Sequence, residues 1–151
     1  MPAFTGLGAP YWDANARGAF LGLSRDTTSK HLVTATLQSV CFQTRDLFSA
    51  MEGDGATLSF VRVDGGMVTN DWLVQALADI TQLSVDRASI TETTSLGAAF
   101  LAGLEVGLFK SLEDLESFRG HTLTVIAKLD KFRSDELYAG WRDAVARVRT
   151  S

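Results

Sequence analysis

The strongest constraint on this chain is a change of period within residues 58–80. Residues 58–63 have the character of a short strand. It breaks on Asp64-Gly65-Gly66 and gives way at Asn70 to a helical repeat carrying Leu73, Ala76, Leu77 and Ile80. The same alternation runs along the whole chain. Residues 18–23 read as a short buried strand, and 28–51 as a helix. The apolar face of that helix is Val33, Leu37, Val40 with Cys41, Thr44, Leu47 with Phe48, and Met51. Thr28 or Ser29 caps it, and Gly53-Asp54-Gly55 ends it. Further on, the spacing predicts a strand at 84–87, a helix at 96–106 capped by Thr94-Ser95, a short helix at 112–118 and a strand at 123–126. Ser134, with Asp135 and Glu136 in the first turn, starts a last helix bearing Leu137, Trp141, Ala144, Val145 and Val148. Strands alternating with helices define an α/β layer fold, and no repeat or linker divides residues 1–151 into more than one domain.

With 151 residues, 46% of them apolar, the chain can bury about 68–70% of its unfolded surface without covalent staples. A net charge of -4 argues against nucleic acid or an anionic membrane as partner. Cys41, the single cysteine, cannot form an internal disulfide, so nothing points to secretion. No apolar run approaches the roughly 20 residues of a membrane span, and no signal peptide is visible. A cytoplasmic globular domain is therefore expected. The opening, rich in glycine and aromatics, reads as an interior stretch of a longer protein.

The turn at Asp64-Gly65-Gly66 is the candidate for chemistry. Backbone without Cβ atoms can approach a flat base or a phosphate closely. Asn70 offers a donor and an acceptor to a base edge, and the new helix begins with unpaired N–H groups that favour anions. A tight strand-to-helix turn with no ligand explains the same spacing, and both readings stand. Other motifs fail. Gly6-Leu7-Gly8 lacks the Gly-Lys-Ser/Thr ending of a phosphate loop, and Gly65-Gly66 does not continue as a dinucleotide fingerprint. His31 and His121, 90 residues apart, give no metal site with a lone cysteine, and Cys41 reads as core. Gly97, Ala98, Ala102 and Gly103 suit close helix packing or a moving contact. Tyr11, Trp12 and Trp141 read as structural aromatics, with Tyr11-Trp12 also suited to an interface.

Four ordered motifs resemble those of the FGGY carbohydrate kinases. The run from Phe4-Thr5-Gly6-Leu7 to Tyr11-Trp12-Asp13 is similar to a segment typical of glycerol kinases. Gly18-Ala19-Phe20-Leu21-Gly22-Leu23, then His31-Leu32 after seven residues, then Ala35-Thr36-Leu37-Gln38, matches the family's second signature. Val63-Asp64-Gly65-Gly66 resembles the adenosine motif of the actin and hexokinase superfamily, and the stretch from Glu92 to Gly103 the family's connecting helix at the interdomain hinge. The likeness resumes at Tyr138-Ala139-Gly140-Trp141, whereas Phe132-Arg133-Ser134 lacks the proline that glycerol kinases usually carry there.

The resemblance implies a ribonuclease H-like, actin-like ATPase domain with a mixed sheet flanked by helices. It implies the C-terminal, ATP-binding half of a kinase that transfers the γ-phosphoryl group of ATP, with Mg2+, to glycerol. By position, Gly66 and Asn70 match nucleotide contacts and Gly65 shapes the loop, while Asp64 either orders water near magnesium or fixes the turn. ATP and ADP are the implied ligands of this chain. Glycerol would be held by an N-terminal domain outside it, together with the catalytic aspartate and phosphate loops. No catalytic residue is therefore assigned here, and the chain alone is expected to be inactive. Loss of a partner domain would leave an apolar face, so a homo-oligomer is expected. A kinase for xylulose or gluconate, and a nucleotide-binding or self-associating module without catalysis, are the alternatives.

Overall fold

A computed structural model of the chain describes residues 1–118, 120 and 122–150, with the side chain of Ser117 outside the description. Residues 1–28 form an irregular opening. Helix α1 (Ser29–Gly53) follows, then strand β1 (Phe60–Val63), a 3-10 turn (Gly66–Thr69) and α2 (Asp71–Thr81). Next come β2 (Ser84–Ala88), α3 (Thr93–Glu105), a second 3-10 segment (Glu113–Phe118), β3 (Thr122–Val125) and α4 (Lys131–Val148). The sheet has the order β1-β2-β3, with β1 parallel to β2 and β2 antiparallel to β3. It is the mixed sheet of an α/β domain. Among the described residues no helix is long and apolar enough to cross a membrane.

α2 is the central element because its apolar residues serve two layers. Val74 and Ala78 lie on the sheet with Val85, joined by Val61, Val63 and Val125. The register pairs Val61 with Val85 and Val85 with Val125, so one sheet face presents a row of valines. Leu73 and Ile80 turn the other way, to Cys41 and Phe42 of α1 and Trp141 and Val145 of α4. Burying side chains such as Val74 and Val85 contributes about 1.5–3 kcal/mol each. Phe42 stacks on Trp141 with ring centroids 5.5 Å apart. Buried Asp46 accepts from Tyr138 Oη (2.6 Å) and Trp141 Nε1 (2.7 Å), fastening α1 to α4.

Most elements lie where the periodicity puts them, with five departures. Residues 18–23 form no strand. Ala19 exchanges both backbone hydrogen bonds with Met1, each 2.9 Å, but no longer ladder follows and Phe20, Leu21 and Leu23 are exposed. An apolar run becomes a strand only where a neighbour satisfies its backbone. α1 buries Ser39, Cys41, Phe42 and Asp46; of the expected face Cys41 lies in the core and Leu37 packs against it, whereas Val33, Val40, Leu47 and Met51 are exposed. α3 begins at Thr93, ahead of the expected Thr94-Ser95 cap.

The fourth departure concerns α4, which begins at Lys131. Asp130 is its cap, accepting from the Arg133 N–H at 2.9 Å. Ser134 is instead a fully buried interior residue that donates to the Ile80 carbonyl (3.1 Å) and accepts from Arg45 (3.0 Å). The charge-rich Ser-Asp-Glu run looks like a first turn, but Asp130 makes the cap four residues before Ser134. Finally, Trp141 and the half-buried Tyr11 are structural aromatics, while Trp12 is 78% exposed and takes no part in the core.

Candidate functional site

β1 and β2 run parallel, so their C-terminal ends open on one side of the sheet, where ligands of α/β folds gather. β1 ends at Val63 and passes into Asp64-Gly65-Gly66, while β2 ends at Ala88 and leads through Ser89 to the start of α3. A groove of 430 Å³ lies between them, lined among others by Asp64, Ala88, Thr93, Gly97 and Phe100. The Thr93 hydroxyl donates to Asp64 Oδ2, tying the end of β1 to the first turn of α3. A smaller groove of 290 Å³ next to it holds Val68, Thr69, Asp71, Arg87, Ser89 and Thr91.

Gly65 has φ +87° and ψ 177°, a conformation close to glycine-only backbone. Its need for glycine is local. Gly66 is different: its φ is not positive, and a Cβ built there would meet no atom within 4 Å. Nothing in the chain's own backbone geometry or packing requires glycine at 66. Gly8, Gly53, Gly97 and Gly140 are equally unconstrained, so it is the place of Gly66, beside a helix start at the parallel edge of the sheet, that suits close approach by something from outside. Val68 is the anchor of the turn, buried under the sheet cluster, and its N–H donates to the Gly65 carbonyl at 3.3 Å.

Asn70 closes the 3-10 turn and caps α2. Its N–H donates to the Met67 carbonyl (3.2 Å), and its Oδ1 accepts from the Leu73 N–H (3.2 Å). The cap fixes the side chain and commits the amide oxygen, so the Nδ2 group is what the exposed Asn70 has left for a partner. The candidate residues Asp64, Gly65, Gly66 and Asn70 are thus brought together on one turn at the end of β1.

Two residues of this neighbourhood carry no local sequence signal. Arg87 donates to the Val68 carbonyl at 3.2 Å and pairs with Asp71, the first residue of α2. Thr93 reaches Asp64 across 29 residues. Both contacts join separate elements, so no spacing rule within one element marks them. Of the small residues in α3, Gly103 is needed for packing, because a Cβ there would stand 2.5 Å from Cε2 of Phe109. Gly97 instead borders the larger groove. Phe100, Phe109 and Phe118 close the far end of α3 edge to face, at 5.5–6.0 Å.

A mixed α/β sheet with a glycine turn and a capped helix at its parallel edge fits the actin-like ATPase class of α/β domains. Residues 1–106 match the model of the FGGY family of carbohydrate kinases, C-terminal domain. The chain belongs to that family. It is 56% identical over 150 residues to a glycerol kinase of Marinomonas sp. (strain MWYL1), covering 99% of this chain and 30% of that protein. It also superposes on Plasmodium falciparum glycerol kinase with ADP at a TM-score of 0.82 with 35% identity, covering 97% of this chain and 30% of the other. A ligand-bound xylulose kinase from Lactobacillus acidophilus is more distant, at 0.74 and 26%, covering 96% and 30%. The chain therefore spans about three-tenths of the length of these relatives.

Proposed function

We propose that this chain is the part of a glycerol kinase that holds the adenine nucleotide, with Gly65, Gly66 and Asn70 as the contacts. The observation that carries the reading is Gly66, a glycine that the chain's own geometry does not require, placed beside a helix start at the parallel edge of the sheet. ATP donates its γ-phosphoryl group to a terminal hydroxyl of glycerol, and this chain's share is to fix the donor. Gly66 lets the backbone come close to the nucleotide, the start of α2 favours its negative charge, and the Asn70 amide hydrogens meet an acceptor on the base. Magnesium arrives on the phosphate oxygens. Asp64 ties the turn to Thr93, and ordering water near magnesium is its other proposed role. Glycerol, rather than another polyol or sugar, is supported by the glycerol kinases among the relatives and, among superposed structures, by 35% identity to a glycerol kinase against 26% to a xylulose kinase.

Holding one reactant leaves the acceptor unoriented, and orientation accounts for about 7–11 kcal/mol of barrier reduction. The 151-residue chain alone is expected to form no glycerol 3-phosphate from MgATP and glycerol. Photolabelling with 8-azido-ADP tests the site itself. The label should fall on the tryptic peptide 63–87, which holds Gly65, Gly66 and Asn70, and excess ADP should suppress it. Labelling confined to other peptides would remove the site.

A further inference from the structure

The side chain of Arg87 stands at the end of β2, paired in register with Val63, the last residue before the glycine turn. It makes two contacts, and they flank Asn70. One is the hydrogen bond to the Val68 carbonyl, inside the 3-10 turn, and the other is the ion pair with Asp71 at the start of α2. The Arg87 side chain is 22% exposed and that of Asp71 86%, so the guanidinium is the embedded member of the pair. Such a pair in solvent contributes little stability. Its placement gives it another use.

We infer that Arg87 is a positioning residue for the nucleotide, fixing Asn70 by holding Val68 before it and Asp71 after it and offsetting the charge of Asp71. The inference rests on the nucleotide reading above. Asp71 puts a negative charge on the helix end that a phosphate group would approach, and Arg87 offsets that charge at the same place. A planar guanidinium can serve a carbonyl and a carboxylate together, whereas a lysine ammonium is a point donor on a flexible stem. Lysine at 87 would keep the charge and lose the two-point grip.

The test is an NMR titration of ADP, with Mg2+, into 15N-labelled chain carrying Arg, Lys or Met at position 87. Arg87→Met is expected to weaken ADP binding by about tenfold or more, and Arg87→Lys to recover only part of that loss. In both variants without ADP, the amide resonances of residues 66–70 should move while those of α1 and α4, beyond α2, stay in place. A merely structural role would move the α1 and α4 resonances as well. If Arg87→Met does not fold, Arg87→Lys decides alone. Wild-type affinity in Arg87→Lys, or resonance changes spread evenly over the fold, would overturn the role of Arg87 and leave the nucleotide site standing. Absence of ADP binding by the wild-type chain would instead overturn both.

Discussion

Adjacent glycines at 65 and 66 answer to different requirements, and substitution separates them. Gly65→Ala forces a Cβ onto a backbone at φ +87° and should cost about 1–2 kcal/mol in a denaturant melt. Gly66→Ala meets open space, so stability should change by no more than about 0.5 kcal/mol while ADP affinity falls. The opposite ranking would show that Gly66 serves the fold alone. Both glycines and Asn70 were legible in the sequence because a turn of this kind is local: strand, break and cap follow one another within a dozen residues. What the sequence left open was Asp64, whose bond to Thr93 depends on how α3 returns to the sheet. Cys41 was legible as core, and burial pushes its thiol up to about 12. It should stay unreactive to a thiol-specific disulfide reagent at neutral pH until denaturant is added; fast reaction of the native chain would contradict that environment.

Elements are joined here by buried or half-buried carboxylates as much as by apolar contact. Asp46→Ala would orphan the buried indole N–H of Trp141 and should destabilise the chain by about 1–3 kcal/mol, measurable by urea unfolding. Asp13 makes a second clasp, between the opening and the C-terminal end. It accepts from the Thr150 N–H (2.6 Å) and hydroxyl (2.8 Å) and from the N–H groups of Asn15 and Ala16. The Thr150 bonds first, then those of Asn15 and Ala16, hold its carboxyl down to about 2 against the opposing effect of burial. The folded value lies below the unfolded one of about 3.9, so this stabilisation is complete above that pH and fades as pH falls toward 2. Wild type should therefore lose more of its melting temperature across that window than Asp13→Asn. Neither clasp was legible, because each spans 92 or more residues and local periodicity carries no such pairing. The same limit explains α1. Its expected face is wider than the part used: Leu37 and Cys41, with Phe42 beside them, meet the core that α2 and α4 build, and Val33, Val40, Leu47 and Met51 are left exposed.

At the scale of the whole molecule, a chain spanning about three-tenths of its relatives' length shows apolar surface on two helices. Val33 on α1 is 60% exposed, and Leu101, Val106 and Leu108 on or after α3 are 68–79% exposed. Exposed apolar side chains at this density around the end of α3 suit contact with another copy, and sedimentation should show concentration-dependent self-association that Leu101→Ser with Val106→Ser reduces. A strictly monomeric wild type would contradict it. The central claim is narrower: an adenine nucleotide seats on the turn from Gly65 to Asn70. Calorimetric titration of ADP with Mg2+ into the wild-type chain and into Asn70→Ala tests it directly. Loss of the cap should cost about 1 kcal/mol of stability, so both proteins are compared well below their melting temperatures. Saturable binding by the wild type, weakened about tenfold or more in Asn70→Ala, is the predicted result. Equal affinity in the two proteins, or no binding by the wild type, would contradict it.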